Sequence, residues 1–401
     1  MMFQEAQRLL EQFLAPLTLD EFLDRTLSGG FIKVDANATA GRTSLLGADP
    51  ESVLLGAFQL APQLIFESAS PSGPAPELQG VAGAADFQQR ITQLHERGYS
   101  VRFPELRALS PQLDRLARAL EILLHQPVTA AASWSRGAKR AAVRYEDHDL
   151  LIVQLRGTRR WEVASRPSEL SNTWKRIVPD LGPHQTLDLK PGDLLYLPRG
   201  SCHSVDADNG SLHLAIGFTP LTVRAAVIAA LDHLSDLDHG WRRTLGARLA
   251  FQLRGTGMEQ LTAPIVQGAA ALLAACQTPG YLDSALQWRS SRAIAALDAL
   301  TPAAAPAAIG LDTELQHNEL AFCHLTASPE RIDVSYPGGH LFIHRGAQPA
   351  VEFMVNAPRF RVRDIPGEIG DDVRISLAER FVGIGFLRRV PARTPAVPDG
   401  A

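Results

Sequence analysis

The chain is poor in cysteine: three in 401 residues, Cys202, Cys276 and Cys323, far apart in sequence. They form no Cys-x-x-Cys pair and no disulfide framework, which makes a reducing cytoplasm the expected setting. The chain also lacks an excess of either charge. Its 39 Lys and Arg against 43 Asp and Glu leave a formal net charge of −4. No global basic field therefore marks nucleic acid or an anionic membrane as a partner. Long apolar runs are missing too. The most apolar segment, residues 263–276, is interrupted by Gln267 and Gly268, is too short to span a bilayer and reads as a packed helix. The N-terminal MMFQEAQRLLEQFL carries an acid early and lacks the basic start and small-residue cleavage site of a signal peptide. There is no internal repeat. What remains is 45% hydrophobic and 20% charged, the composition of a globular protein with a real core. The length favours two or three domains.

Along the chain, residues 2–25 read as two helices, the second capped by Thr18. Residues 71–76, Pro-Ser-Gly-Pro-Ala-Pro, are a loop by composition. Residues 85–97 and 110–125 read as helices, the latter with Leu113, Leu116, Leu120 and Leu123 on one stripe. From Val128 the pattern changes to short β-rich runs between Gly and Pro: 128–134, 148–155, 160–164, 186–189, 193–197 and 211–218. Strands at this spacing predict a sandwich or barrel. After Pro220 the sequence is helical and Ala/Leu-rich to about residue 300, and 301–308 is a linker by composition. Residues 311–391 mix helix and strand, with strands expected at 341–344, 351–355 and 385–390 and a helix at 373–381. The tail from residue 392 to 401 is expected to be disordered.

The chemistry concentrates in residues 144–149, Arg-Tyr-Glu-Asp-His-Asp, and 197–203, Leu-Pro-Arg-Gly-Ser-Cys-His. In an extended strand, residues i and i+2 share a face about 6.6 Å apart, so Arg144, Glu146 and His148 are expected on one face. Gly157 makes a turn before the strand that starts at Arg159, and Pro198-Arg-Gly200 makes another before His203. Non-haem iron sites use two His and one carboxylate on one side of the metal, leaving positions open for cosubstrate and oxygen. A histidine after such a turn, across a barrel from a polar strand, suits that role, although taken alone it is more often a surface or hydrogen-bonded core residue.

Residues 144–161, RYEDHDLLIVQLRGTRRW, together with the PGDLLYLPRGxxH run ending at His203 and Ser211–Phe218, resemble the cupin-4 branch of the JmjC oxygenases, which includes the ribosomal oxygenases. The resemblance implies an α+β protein. Its first part is a double-stranded β-helix with N-terminal helices over residues 1–220, followed by a helical dimerisation region over 221–310 and a winged-helix-like domain over 311–391. It implies Fe(II) and 2-oxoglutarate as cofactors, hydroxylation of a protein or peptide side chain, a ribosomal substrate among the options, and a homodimer. His203 matches the distal metal-ligating histidine. Arg159 matches the residue that pairs with the far carboxylate of 2-oxoglutarate through its fork of donors, and Ser135 matches the hydroxyl that assists it.

The first-strand motif departs from this family. Where the family has His-x-Asp, this chain has Arg144 and Glu146. Asp to Glu preserves an oxygen ligand. His to Arg removes a lone pair and installs a permanent cation. Two outcomes are open. An Arg144–Glu146 ion pair takes the metal's place and leaves a catalytically silent binding module. Alternatively, His148 joins Glu146 and His203 to restore two His and a carboxylate one step along the strand. Other features carry less. His213 is expected beside the pocket as a hydrogen-bonded core residue, and Gln154, Trp161 and Tyr196 as packing. His340 and His344 have no carboxylate partner near in sequence. Arg359-x-Arg361-x-Arg363, beside Asp364, Glu368, Asp371 and Asp372, reads as a mixed solvated surface rather than a nucleic-acid strip, and a winged-helix DNA binder is disfavoured by the net charge.

Overall fold

Two helices open the chain, α1 (Phe3–Leu14) and α2 (Leu19–Leu27). The start of α2 is set by a capping box: Thr18 accepts the Glu21 N–H, and the Glu21 carboxylate accepts the Thr18 N–H at 3.0 Å. The computed structural model describes residues 3–67, 73–75, 77–136, 141–166, 180–207, 210–244, 257–300 and 308–390. The expected tail at 392–401, residues 301–307 of the expected 301–308 linker and three of the six loop residues at 71–76 lie outside the described residues. The chain divides into two compact units, Met2–Pro220 and Leu221–Ala401.

In the first unit, β1 (Ile32–Val34), α3 (Pro50–Gly56), β2 (Ile65–Glu67), α4 (Ala84–Glu96), β3 (Ser100–Phe103) and α5 (Pro111–Leu124) precede seven strands, all but β9 foreseen from the sequence. Ser110 caps α5 by accepting the Leu113 N–H, and proline at its first turn loses no helical bond there. Then come β4 (Val128–Ser135), β5 (Asp149–Arg156), β6 (Arg159–Ala164), β7 (His184–Leu189), β8 (Leu194–Leu197), β9 (His203–Ala207) and β10 (Ser211–Phe218). They form a seven-stranded sheet, β1-β8-β5-β10-β4-β3-β2, and a three-stranded sheet, β7-β6-β9, with every pairing antiparallel.

Alternation along β5 explains why it reads as an unbroken apolar run. Leu151, Val153 and Leu155 belong to the same buried core as Phe87 and Ile91 of α4 and Leu113 and Leu116 of α5. Leu150 and Ile152 face the other way, against Trp161 and Val163 of β6 and Val205 of β9. Both faces are therefore buried, as in a sheet covered on two sides. The β5–β6 turn requires glycine. Gly157 has φ +64°, and a Cβ there would meet the Gly210 carbonyl at 3.0 Å.

The second unit contains α6 (Val223–Leu237), α7 (Gly257–Gln277) and α8 (Tyr281–Ala295), followed by β11 (Glu314–His317), β12 (His324–Ala327), β13 (Arg331–Tyr336), β14 (Gly339–His344), α9 (Gln348–Asn356), β15 (Arg359–Arg361), α10 (Asp371–Gly383) and β16 (Leu387–Arg389). The strands make two antiparallel sheets, β15-β11-β16 and β12-β13-β14. Among the described residues no helix is long and apolar enough to cross a membrane.

Several expectations are corrected. Residues 351–355 are helical, not a strand. Pro349 sits in the first turn of α9, and Ala350, Val351 and Met354 are buried at helical spacing, so packing overrides the β preference of Val-Glu-Phe-Met-Val. The 263–276 segment is helical, but Ile265, Val266 and Leu273 are each 60% exposed rather than packed. Three strands of the large sheet, β1 to β3, went unforeseen because each has only three or four residues. His340 does have a carboxylate partner: the β13–β14 hairpin brings Asp333 within 3.0 Å of it. In the arginine strip, Arg359 pairs with Glu314 and Arg363 with Asp312.

One buried cation ties the N-terminal segment to the barrel. Arg42 is 1% exposed and donates to the carbonyls of Phe13 (2.7 Å), Ala15 (2.5 Å), Asp35 (3.1 Å) and Gly192 (2.9 Å). Burial pulls its guanidinium down to about 10, which leaves it charged at neutral pH. Replacing it orphans four carbonyls at once. Arg42→Met is expected to cost about 3 kcal/mol of stability, read as a lower urea midpoint, and a change within error would show that these bonds hold nothing.

Candidate ligand site in the barrel

The two motifs separated in sequence are backbone neighbours. Residues 141–146 run antiparallel to the start of β9: Arg144 and His203 exchange both backbone hydrogen bonds, at 2.9 and 2.8 Å, Ala141 donates to Val205, and Gly200 donates to the Glu146 carbonyl. The turn that delivers His203 is held by Asp149, the first residue of β5. Its carboxylate accepts the Arg199 N–H and the Tyr196 hydroxyl, both at 2.8 Å. Burial nonetheless pushes that carboxyl up from its ordinary value, against the pull of both bonds.

Between the two sheets lies a small cavity of about 30 Å³, room for roughly two waters. Its apolar wall comes from β4, β5 and β10, and its polar groups are Arg102, Ser133, Arg144, Glu146, Trp161, His203 and His213. His203 is 2% exposed, and its Nδ1 donates to the Ser201 carbonyl at 3.0 Å, leaving the lone pair on Nε2. Burial, with the Arg144 charge adding to it, holds its pKa down at about 4. His213 lies well below its ordinary value through burial and then the charges of Arg159, Arg144 and Arg102. Its Nδ1 accepts from Arg159 at 2.6 Å. A guanidinium only donates, so the hydrogen of neutral His213 sits on Nε2.

Arg159, on β6, is 4% exposed and fully engaged. Besides His213 it donates to Ser211 Oγ at 3.2 Å, to Ser133 Oγ at 3.5 Å and to Ser135 Oγ. The Arg159–Ser135 pair that the resemblance implied is therefore in contact.

The candidate metal ligands are not brought together as a set. Arg144, Glu146 and His203 line the cavity, and His148 does not. The i,i+2 argument fails because β5 begins only at Asp149 and the chain bends at 147–148. His148 instead bonds Asp147 at 3.1 Å and lies against Gly217, where a Cβ would come within 2.7 Å of its ring. The expected Arg144–Glu146 ion pair is not formed either: among the described residues the Glu146 carboxylate has no hydrogen bond or ion pair. No group of three His, Cys, Asp or Glu among the described residues is placed to hold a metal ion. The donors left are His203 and Glu146, beside a guanidinium. A dication about 4 Å from that cation would be opposed by roughly 8 kcal/mol at an effective dielectric near 20. The residues present do not fit Fe(II). Sequence reasoning missed Arg102, whose Val-Arg-Phe context on β3 gave a faint alternation signal, and Asp149, for which no signal pointed to the turn.

An antiparallel two-sheet barrel with its polar residues gathered between the sheets defines the class, and comparison with known proteins bears it out. Residues 106–226 match the JmjC domain family. Ribosomal oxygenase 2 of Mus musculus is 29% identical over 140 residues, covering 33% of this chain and 30% of that protein. The bifunctional lysine-specific demethylase and histidyl-hydroxylase NO66 of Drosophila persimilis is 24% identical over 299 residues, 70% of this chain and 43% of that one. The matches thus span about a third to less than half of these relatives. Among solved structures, E. coli ycfD superposes with a TM-score of 0.55 at 14% identity over 93% of this chain and 98% of that chain. Another structure, of YcfD with cobalt and 2-oxoglutarate, gives 0.52. Residues 106–226 thus match the JmjC domain, and the chain is similar in sequence and in fold to JmjC/cupin proteins of the ribosomal-oxygenase kind.

The buried neutral histidines set a pH dependence. An unfolded histidine takes a proton near pH 6.5, whereas His203 in the fold takes one only near pH 4. Their contribution is complete above pH 6.5 and is lost as pH falls toward 4, by about 3 kcal/mol at most for His203. Urea midpoints should therefore drop between pH 7 and 4.5. In His203→Gln, proton uptake on unfolding at pH 5 should fall by about one, and an unchanged uptake would contradict the neutral assignment.

Proposed function

We propose that this barrel is a 2-oxoglutarate-oxygenase fold that has exchanged its metal site for a cationic pocket, so that the protein acts as a binding module rather than as an Fe(II)-dependent protein hydroxylase. The observation that carries this is Arg144. It lines the cavity at the first ligand position, backbone-paired to His203, and its charge acts on both His203 and His213. Arg159 adds support: its donors are already spent on His213 and serines, and the cavity of about 30 Å³ is far below the roughly 300–1,000 Å³ of ordinary ligand pockets.

A second reading keeps the family's chemistry: 2-oxoglutarate-dependent hydroxylation of a protein or peptide side chain, possible ribosomal substrates included. It is favoured by His203, whose Nδ1 bond to Ser201 orients Nε2 as a ligand would need, and by the Arg159–Ser135 contact. YcfD, bound to cobalt and 2-oxoglutarate in one structure, is the precedent.

The wider organisation belongs to the same proposal: a barrel over 1–220, a helical region over 221–310, and a winged-helix-like part over 311–391. Self-association through the helices is supported by apolar side chains exposed on α6 and α7, among them Val223 (83%), Val227 (51%) and Leu273 (60%). A cytoplasmic setting is supported by three free cysteines.

Anaerobic titration of Fe(II) with 2-oxoglutarate separates the two readings. The binding-module reading expects no charge-transfer band and no 2-oxoglutarate consumption in air, and it expects the double variant Arg144→His, Glu146→Asp to gain the band. A band from the unaltered protein would establish the second reading instead. Its loss in His148→Ala would then show that His148 moves in to ligate.

A further inference from the structure

We infer that the cavity between the two sheets is a binding site for a small monovalent anion, of the size of a halide or a one-carbon carboxylate, held where a metal cation would otherwise sit. The inference rests on the binding-module reading and names its ligand.

Three observations converge. The first is charge. Two guanidinium groups, Arg102 and Arg144, and one carboxylate, Glu146, line the cavity. The lining is therefore net positive by one, and the Arg159 charge lies just behind it, bonded to His213. A lining in which guanidinium groups outnumber carboxylates attracts an anion and repels a divalent metal. The Arg102 side chain makes no hydrogen bond or ion pair among the described residues, and its charge reaches far enough to act on His213.

The second is an unmet donor. Trp161 lines the cavity, is 1% exposed, and has its indole N–H buried without a hydrogen-bond partner. A buried donor left unpaired is costly, and a native fold normally supplies an acceptor from protein, water or an ion. A metal cation cannot accept a hydrogen bond; an anion can. His213 presents the same polarity, because its Nδ1 is taken by Arg159 and its neutral ring carries hydrogen on Nε2.

The third is size. A cavity of about 30 Å³ has room for roughly two waters, which suits an anion of up to about three heavy atoms and not a five-carbon dicarboxylate. The apolar remainder of the wall, Ala131, Leu150, Ile152 and Ala215, keeps the local dielectric low and strengthens a charge-assisted hydrogen bond inside it.

The test uses the full chain in a chloride-free, sulfate-buffered solution, with sodium bromide and sodium formate as probes. Both should raise the melting temperature saturably, beyond a sodium sulfate control at equal ionic strength. Bromide-soaked crystals should give an anomalous peak in the cavity. Arg102→Gln should weaken formate binding by roughly tenfold or more, and Trp161→Phe, which removes the N–H and keeps an aromatic ring, by about three- to tenfold. If neither probe shifts the wild type and no anomalous peak appears, the anion site is wrong. Equal affinities in wild type and Arg102→Gln would likewise overturn it. The Fe(II) titration reports separately. Silence there together with no anion binding sinks this inference and leaves the binding-module reading intact, while a charge-transfer band in the wild type sinks both.

Discussion

The two backbone hydrogen bonds between Arg144 and His203 decide what this barrel can hold. They clamp a non-strand segment onto the edge of the small sheet and force the side chain at position 144 to share a cavity with the histidine that follows the Pro198–Gly200 turn. Asp149 completes the clamp by holding the Arg199 amide, and the Gly200 amide donates to Glu146. With the backbone fixed this firmly, the identity of residue 144 sets the electrostatics of the pocket. A histidine there would donate a lone pair. The arginine supplies a positive charge, which adds to burial in keeping the two histidines neutral.

Around this pocket the barrel is conventional, and the sequence shows why its strands could be read. β4, β5, β6, β8 and β10 are short, largely buried runs, several of them on both faces, so pattern and turn residues agree, whereas β9, His-Ser-Val-Asp-Ala, carries no apolar run and was not read as a strand. β1, β2 and β3 escaped notice because three or four residues carry no period, and they exist only because neighbouring strands offer them ladders. In the second unit, residues 351–355 misled for a related reason: β-branched residues suggest a strand, but Pro349 and the spacing of Ala350, Val351 and Met354 favour a helix packed on its own core.

The site was legible in part. Arg144, Glu146 and His203 were singled out from the motifs and do share the cavity, and the resemblance led to Arg159 and Ser135, which are in contact. His148 was misjudged because face alternation was extended across residues that are not a strand. The bend at 147–148 turns its ring toward Gly217, whose missing side chain makes the space for it. The unmet Trp161 N–H was beyond sequence reasoning, and Arg102 left only a faint alternation in Val-Arg-Phe, since both depend on which strands close the cavity.

The central claim is that a guanidinium stands where a metal would sit in a barrel similar to those of the JmjC oxygenases. It is tested most directly by the electron paramagnetic resonance of Mn(II), which mimics Fe(II) in size and charge and whose free ion gives a sharp signal. Titrated into stoichiometric protein with 2-oxoglutarate present, Mn(II) should keep its free-ion signal undiminished. Loss of that signal in the wild type, restored by a chelator, would contradict the account.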